Sequence, residues 1–143
     1  MDDPYVLERY VRAQNPVFGE VCAELAAGRK QSHWMWFIFP QLRGLGTSPM
    51  AQLYAIGSLA EARAYLAHPL LGERLRTCTQ LVNRVEGRTV EAIFGHPDYL
   101  KFRSSMTLFS RAATDASEPF GEALAKYFAG EADPLTRELL NQP

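Results

Sequence analysis

A chain of 143 residues, 47% hydrophobic and 22% charged, is long enough to bury one core and too apolar to remain disordered. Its net charge is −1, with Lys and Arg spread along the sequence, so no specific nucleic-acid signal and no global pull toward an anionic membrane is present. The longest apolar run, residues 34–39, is far too short to span a bilayer. The start, MDDPYVLERY, is acidic and lacks the apolar stretch of a signal peptide, which makes a cytoplasmic protein the expectation. Cys22 and Cys78 lie in helix-like apolar patterns and read as buried free thiols, although two thiols are also enough for one disulfide.

Taken in order, residues 4–13 place Tyr5, Val6 and Tyr10 on one face of a short helix, with Pro4 in its first turn. Asn15-Pro16 has the form of an N-cap followed by Pro at the first helical position, opening a helix that buries Val17, Val21, Cys22 and Leu25. Gly28 ends that helix, and Arg29 and Lys30 follow where cations suit its C-terminus. Residues 31–47 should be partly irregular, because Pro40, Gly44 and Gly46 interrupt any helix. Residues 35–39 are the one strand candidate, and they lack a partner run.

Ser48-Pro49 opens a short helix carrying Met50, Leu53 and Tyr54. Ser58 with Glu61 forms a capping box for a helix through Ala67, and His68-Pro69 separates it from the next. Leu71, Leu75, Cys78, Leu81 and Val82 then recur at spacings of three and four. Thr89 caps a short element ending at Gly95, and residues 96–113 follow with Leu100, Phe102, Met106 and Phe109 as candidate core. Residues 114–118 are polar and turn-like. Phe120, Leu124, Tyr127 and Phe128 mark a helix closed by Gly130, and Asp133-Pro134 caps a last one with Leu135, Leu139 and Leu140. These patterns predict a single compact all-α domain of roughly six to eight mostly short helices.

The stretch 28–48, GRKQSHWMWFIFPQLRGLGTS, concentrates a basic pair, a histidine, two tryptophans, two phenylalanines, two glutamines and three glycines. It should stand at the centre of the structure, with Trp34, Phe37 and Phe39 supplying buried apolar area. This run resembles a family of small bacterial and fungal proteins of unknown function whose members often carry the label calpastatin. Further matches are Tyr54-Ala55-Ile56, Glu61-Ala62, Tyr65-Leu66, His68-Pro69, Phe94-Gly95, Asp98, Lys101, the run from Ser104 to Phe109, Gly130, Asp133 and Thr136. The resemblance covers nearly the whole chain and implies an all-helical single domain. It implies no catalytic residue and no cofactor.

Candidate binding residues come from the chemistry of the side chains. Lys30 and His33 stand three apart beside Trp34, combining a cation, a group that exchanges protons near neutral pH and an aromatic face. Gln41 can read an amide or base edge, and Arg43 can clamp an anion with two parallel bonds. Asp98, Lys101 and Ser105 share one side of a helix and offer a second wall. Gly-Leu-Gly-Thr-Ser lacks the lysine and spacing of a P-loop. A Ser105–His33–Asp98 triad can be written down, but without a nucleophile-elbow sequence. His33, His68 and His96 are scattered, and no metal site is expected. The terminal pair Asp2-Asp3 reads as solvated rather than catalytic.

The leading expectation is a pocket near 28–48 for a small anionic or nucleotide-like ligand, with no cofactor. The alternatives are a non-enzymatic interaction module built on exposed members of 34–39, and a hydrolase or transferase acting on such a ligand. The oligomeric state is left open.

Overall fold

Asp3, ahead of the first helix, accepts hydrogen bonds on its carboxylate from the backbone N–H groups of Leu7 (2.8 Å) and Glu8 (3.1 Å). It thereby satisfies donors that a helix start leaves unpaired. The computed structural model describes residues 3–115 and 117–141. Asp2 of the terminal acidic pair, and Ala116 in the turn-like 114–118 segment, lie outside the described residues. The elements are α1 (Glu8–Gln14), α2 (Phe18–Ala26), α3 (Met35–Ile38), α4 (Pro49–Leu53), α5 (Leu59–Ala67), α6 (Leu71–Asn83), α7 (Val90–Phe94), α8 (Asp98–Ala112), α9 (Pro119–Phe128) and α10 (Pro134–Leu140).

The all-α, single-domain expectation holds at that level, but its count does not. Ten helices stand among the described residues instead of six to eight, and α6 and α8 run to 13 and 15 residues. The count rises because segments of four and five residues, α3, α4 and α7, are helices in their own right. Residues 35–38, part of the strand candidate, form α3. Asn15-Pro16 is no cap: α2 begins at Phe18 behind Val17, which makes no side-chain cap bond.

The other side-chain caps read from local chemistry are present. Ser48, Ser58 and Thr89 each accept the backbone N–H three residues on at 3.1 Å, and Asp133 accepts that of Thr136 at 3.0 Å. Gly28, at φ +73°, closes α2 with the Arg29 N–H reaching back to the Glu24 carbonyl at 3.0 Å. This is the left-handed turn that glycine takes without a Cβ penalty.

α8 is the centre of the packing and lies against α5, α7, α9 and α10, while α6 packs on α2, α5 and α9. Phe39, Phe94 and Phe102 meet edge-on or stacked at centroid distances of 4.7–5.8 Å, and Tyr65, Phe109 and Phe120 extend the aromatic core. Trp34, Phe37 and Phe39 are 1%, 7% and 0% exposed, so the 34–39 run is core as expected, apart from half-buried Trp36. Leu100, a core candidate in the sequence, is instead 41% exposed, and Leu53 and Leu135 are 54% and 48% exposed. Among the described residues no helix is long and apolar enough to cross a membrane.

Candidate functional site

Two buried side chains hold the central stretch in place. Gln14 donates from Nε2 to the Phe37 carbonyl at 2.7 Å and to the Tyr65 hydroxyl at 3.0 Å. Glu24, on the inner face of α2 beside Leu25, accepts from the backbone N–H groups of Gln31 (2.7 Å) and Ser32 (2.9 Å), the Ser32 hydroxyl (2.7 Å) and the Trp34 indole (3.1 Å). Burial alone would raise this carboxyl; the four donors outweigh it and bring it down to about 2. Glu24 therefore fixes the turn from which Lys30 and Trp34 project. Its signal in the sequence was a carboxylate lodged between Val21 and Leu25 on an apolar helix face, and it was missed.

Lys30 does not share an edge with His33, because 31–34 is a turn and not a helix. Its backbone N–H donates to the Ile93 carbonyl at 2.8 Å. Its ammonium meets the Asp98 carboxylate at 3.0 Å and lies 5.1 Å from the centre of the Trp34 ring, with the side chain only 8% exposed. Lys101 takes the other Asp98 oxygen at 3.5 Å and sits 5.6 Å from the Trp36 ring centre; its side chain is 27% exposed. Two cations thus share one carboxylate beside two tryptophans, which leaves a local excess of positive charge.

Lys101 also lines a cleft of about 370 Å³ between the loop after α3 and the start of α8. Its polar members are Gln41, Lys101, Ser104 and Asp133, and its walls are Leu45, Gly46, Pro97, Leu100 and Leu135. The exposed leucines 100 and 135 are accounted for here: they face a concavity. The loop is set by a parallel pairing of Leu42 with Ile56, in which the Ile56 N–H donates to the Gln41 carbonyl and the Arg43 N–H to the Ile56 carbonyl, both at 2.8 Å. Gly46 must be glycine for the loop to lie this close to α4, since a Cβ there would stand 2.5 Å from that of Ala51. Asp133 is positioned by its capping of α10 and accepts from the Ser104 hydroxyl at 3.2 Å.

The remaining sequence candidates are dispersed. Arg43 is exposed and lines two neighbouring clefts, one of about 360 Å³ that meets the Gln41 cleft at Gly46 and one of about 460 Å³ toward Leu139 and Leu140. His33 is exposed on its turn, and Trp34 is core rather than a cleft wall. Ser105 is fully buried, with its hydroxyl unpaired among the described residues, so it is not part of the surface that Asp98 and Lys101 share. His68 accepts the Leu70 and Leu71 N–H groups on Nδ1 at 3.2 Å and serves the start of α6. Asp133 and Leu135 are cleft residues that the sequence reading did not place in a site.

Among the described residues, ten helices around one aromatic core, with a cation-edged cleft at the mouth of α8, define a single-domain all-helical protein. The chain belongs to the family described as "Protein of unknown function (DUF1810)", which it matches over residues 4–140. The crystal structure of the conserved hypothetical protein Rv1873 from Mycobacterium tuberculosis is 60% identical, with a TM-score of 0.96 over 99% of this chain and 100% of that one. No curated protein matches the chain.

Proposed function

We propose that the protein binds a small anionic, nucleotide-like metabolite in the cleft formed by Gln41, Gly46, Leu100, Lys101 and Leu135. The observation that carries this reading is the position of Lys101. Its ammonium has three donors, and the 3.5 Å contact with Asp98 engages one of them, while Lys30 takes the shorter contact. Lys101 is therefore the cation of the pair that can meet an incoming anion. Gln41 supplies an amide to read a polar edge, and the leucines and Pro97 supply the apolar walls typical of metabolite sites, which start near 300 Å³ in volume.

The reading is of a binding site. The Ser104 hydroxyl is engaged with the Leu100 carbonyl and Asp133, and that of Ser105 is sealed in the core, so neither is presented as a nucleophile. The interaction-module alternative has less support, because only Trp36 of the 34–39 run reaches the surface. We also take the calpastatin label to be a misnomer, since an extended inhibitor of that kind does not bury a core.

The test is a thermal-shift series with inorganic phosphate, nucleoside monophosphates and diphosphates, ADP-ribose and sugar phosphates, on wild type, Lys101→Ala and Gln41→Ala. A ligand of this site raises the wild-type melting temperature in a concentration-dependent way and does so much less in either variant. Equal shifts in all three proteins, or no shift with any member of the series, would overturn the proposal.

A further inference from the structure

α2 and α6 pack side by side and run in the same direction. At one end the Arg74 guanidinium lies 4.8 Å from the centre of the Phe18 ring. At the other, a Cβ built on Gly28 would stand 3.1 Å from a Val85 methyl. Phe18 and Arg74 each stand one helical turn before Cys22 and Cys78, so the packing that stacks the first pair brings the two cysteines face to face. Both are free, Cys22 half-buried and Cys78 buried, and each thiol is the chief neighbour acting on the other's acidity. Facing side chains on packed helices, whose axes lie about 8–10 Å apart, are within the reach of a disulfide.

We propose that Cys22 and Cys78 are a reactive thiol pair, a modification site that closes to an intramolecular disulfide on exposure to a peroxide. Cys22 is the attacking sulfur because it is the more accessible of the two, and Arg74 supplies a fixed cation beside the pair. Arg74 is anchored by bonds to Gln14 (3.3 Å) and Asn15 (2.9 Å). The neighbouring Cys78 thiol lowers the Cys22 pKa, and Arg74 adds to this against partial burial. Cys78, inside the core, is held above the ordinary thiol value by the neighbouring Cys22 and by burial.

The chemistry balances with the peroxide as the named oxidant. The Cys22 thiolate attacks one peroxide oxygen, the O–O bond breaks, and the departing hydroxide takes a proton to leave as water. The Cys22 sulfenic acid is then attacked by the Cys78 sulfur; the S–O bond breaks, and the hydroxyl leaves with the Cys78 proton as a second water. Two thiols and one hydrogen peroxide give one disulfide and two waters.

The experiment treats the full-length, reduced, folded chain with one equivalent of hydrogen peroxide, blocks remaining thiols with iodoacetamide and measures intact mass and peptide maps. The expected product has lost two hydrogens, takes up no iodoacetamide, yields one peptide linking Cys22 to Cys78 and reverts with dithiothreitol. In Cys78→Ser the same treatment leaves a Cys22 sulfenic acid that dimedone traps, whereas Cys22→Ser forms no intramolecular bond. Overoxidised Cys22 with an intact Cys78 thiol, disulfide-linked dimers, or two thiols still open to alkylation would overturn the proposal. The wild-type peptide map decides the question even where a variant fails to fold.

Discussion

The indole N–H of Trp34 donates to the carboxylate of Glu24 at 3.1 Å, joining a core aromatic to the inner face of α2. Three further donors from Gln31 and Ser32 converge on the same carboxylate, so one acidic side chain organises the turn that precedes the aromatic run. The fully buried Trp34 ring and the Lys30 ammonium 5.1 Å from its centre are both placed by that turn.

Acid should release this anchor. The Glu24 pKa is lowered from 4.5 to about 2 in the folded chain, so the unfolded chain binds the proton more readily. The stabilisation is therefore complete above about pH 5 and is lost as pH falls through the interval from 4.5 to 2. Because the Ser32 side of the carboxylate borders solvent, the contribution is discounted to about 1–2 kcal/mol. Urea melts of Glu24→Gln should show this loss at pH 7 and a shallower decline than wild type across the acid interval. Parallel pH profiles for the two proteins would remove Glu24 from this role.

The elements legible in the sequence were those whose chemistry is local. Ser48, Ser58, Thr89 and Asp133 cap helices through bonds spanning three residues, and the spacing of Leu71, Leu75, Cys78 and Val82 reports one buried face. α3 is a single turn and too short to show a period. Within the site, Asp98 and Lys101 were legible as neighbours one turn apart on a helix, but Lys30 reaches Asp98 from across the fold, which no spacing encodes. Ser105 was misplaced for a related reason. It continues the Asp98–Lys101 side of α8, but α5, α7, α9 and α10 pack around this helix, and that side is interior by the position of Ser105.

The two lysines on Asp98 should separate stability from binding. Lys30→Ala removes the shorter contact of a nearly buried pair and the cation beside the Trp34 ring, and should cost about 1–2 kcal/mol in urea unfolding. Lys101→Ala removes a longer, more exposed contact and should change stability by less than about 0.5 kcal/mol. The order reverses for anion-dependent thermal shifts, where Lys101→Ala should lose most of the response and Lys30→Ala should keep it. Equal effects of both substitutions on both measurements would mean that the cluster acts as one structural unit.

Asp133 couples the last helix to the cleft. One carboxylate oxygen accepts the Thr136 N–H at 3.0 Å, the Thr136 hydroxyl and the Ser104 hydroxyl at 3.2 Å, while the Asp133 N–H donates to Thr107 at 2.8 Å. Thr136 is fully buried, so Asp133→Ala removes a cap and also strands a hydroxyl, with an expected loss of about 2–3 kcal/mol. Asp133→Asn keeps an acceptor suited to an N-cap and should recover most of that loss. In native-state hydrogen exchange the alanine variant should lose protection in α10 while α8 stays protected, because α10 is a short element and α8 is the central one. Leu135 stands in the first turn of α10 and walls the cleft, so loosening that turn should weaken anion binding in the same variant. Unchanged α10 protection in Asp133→Ala would show that the packing of Leu139 and Leu140, rather than the cap, holds this helix in place.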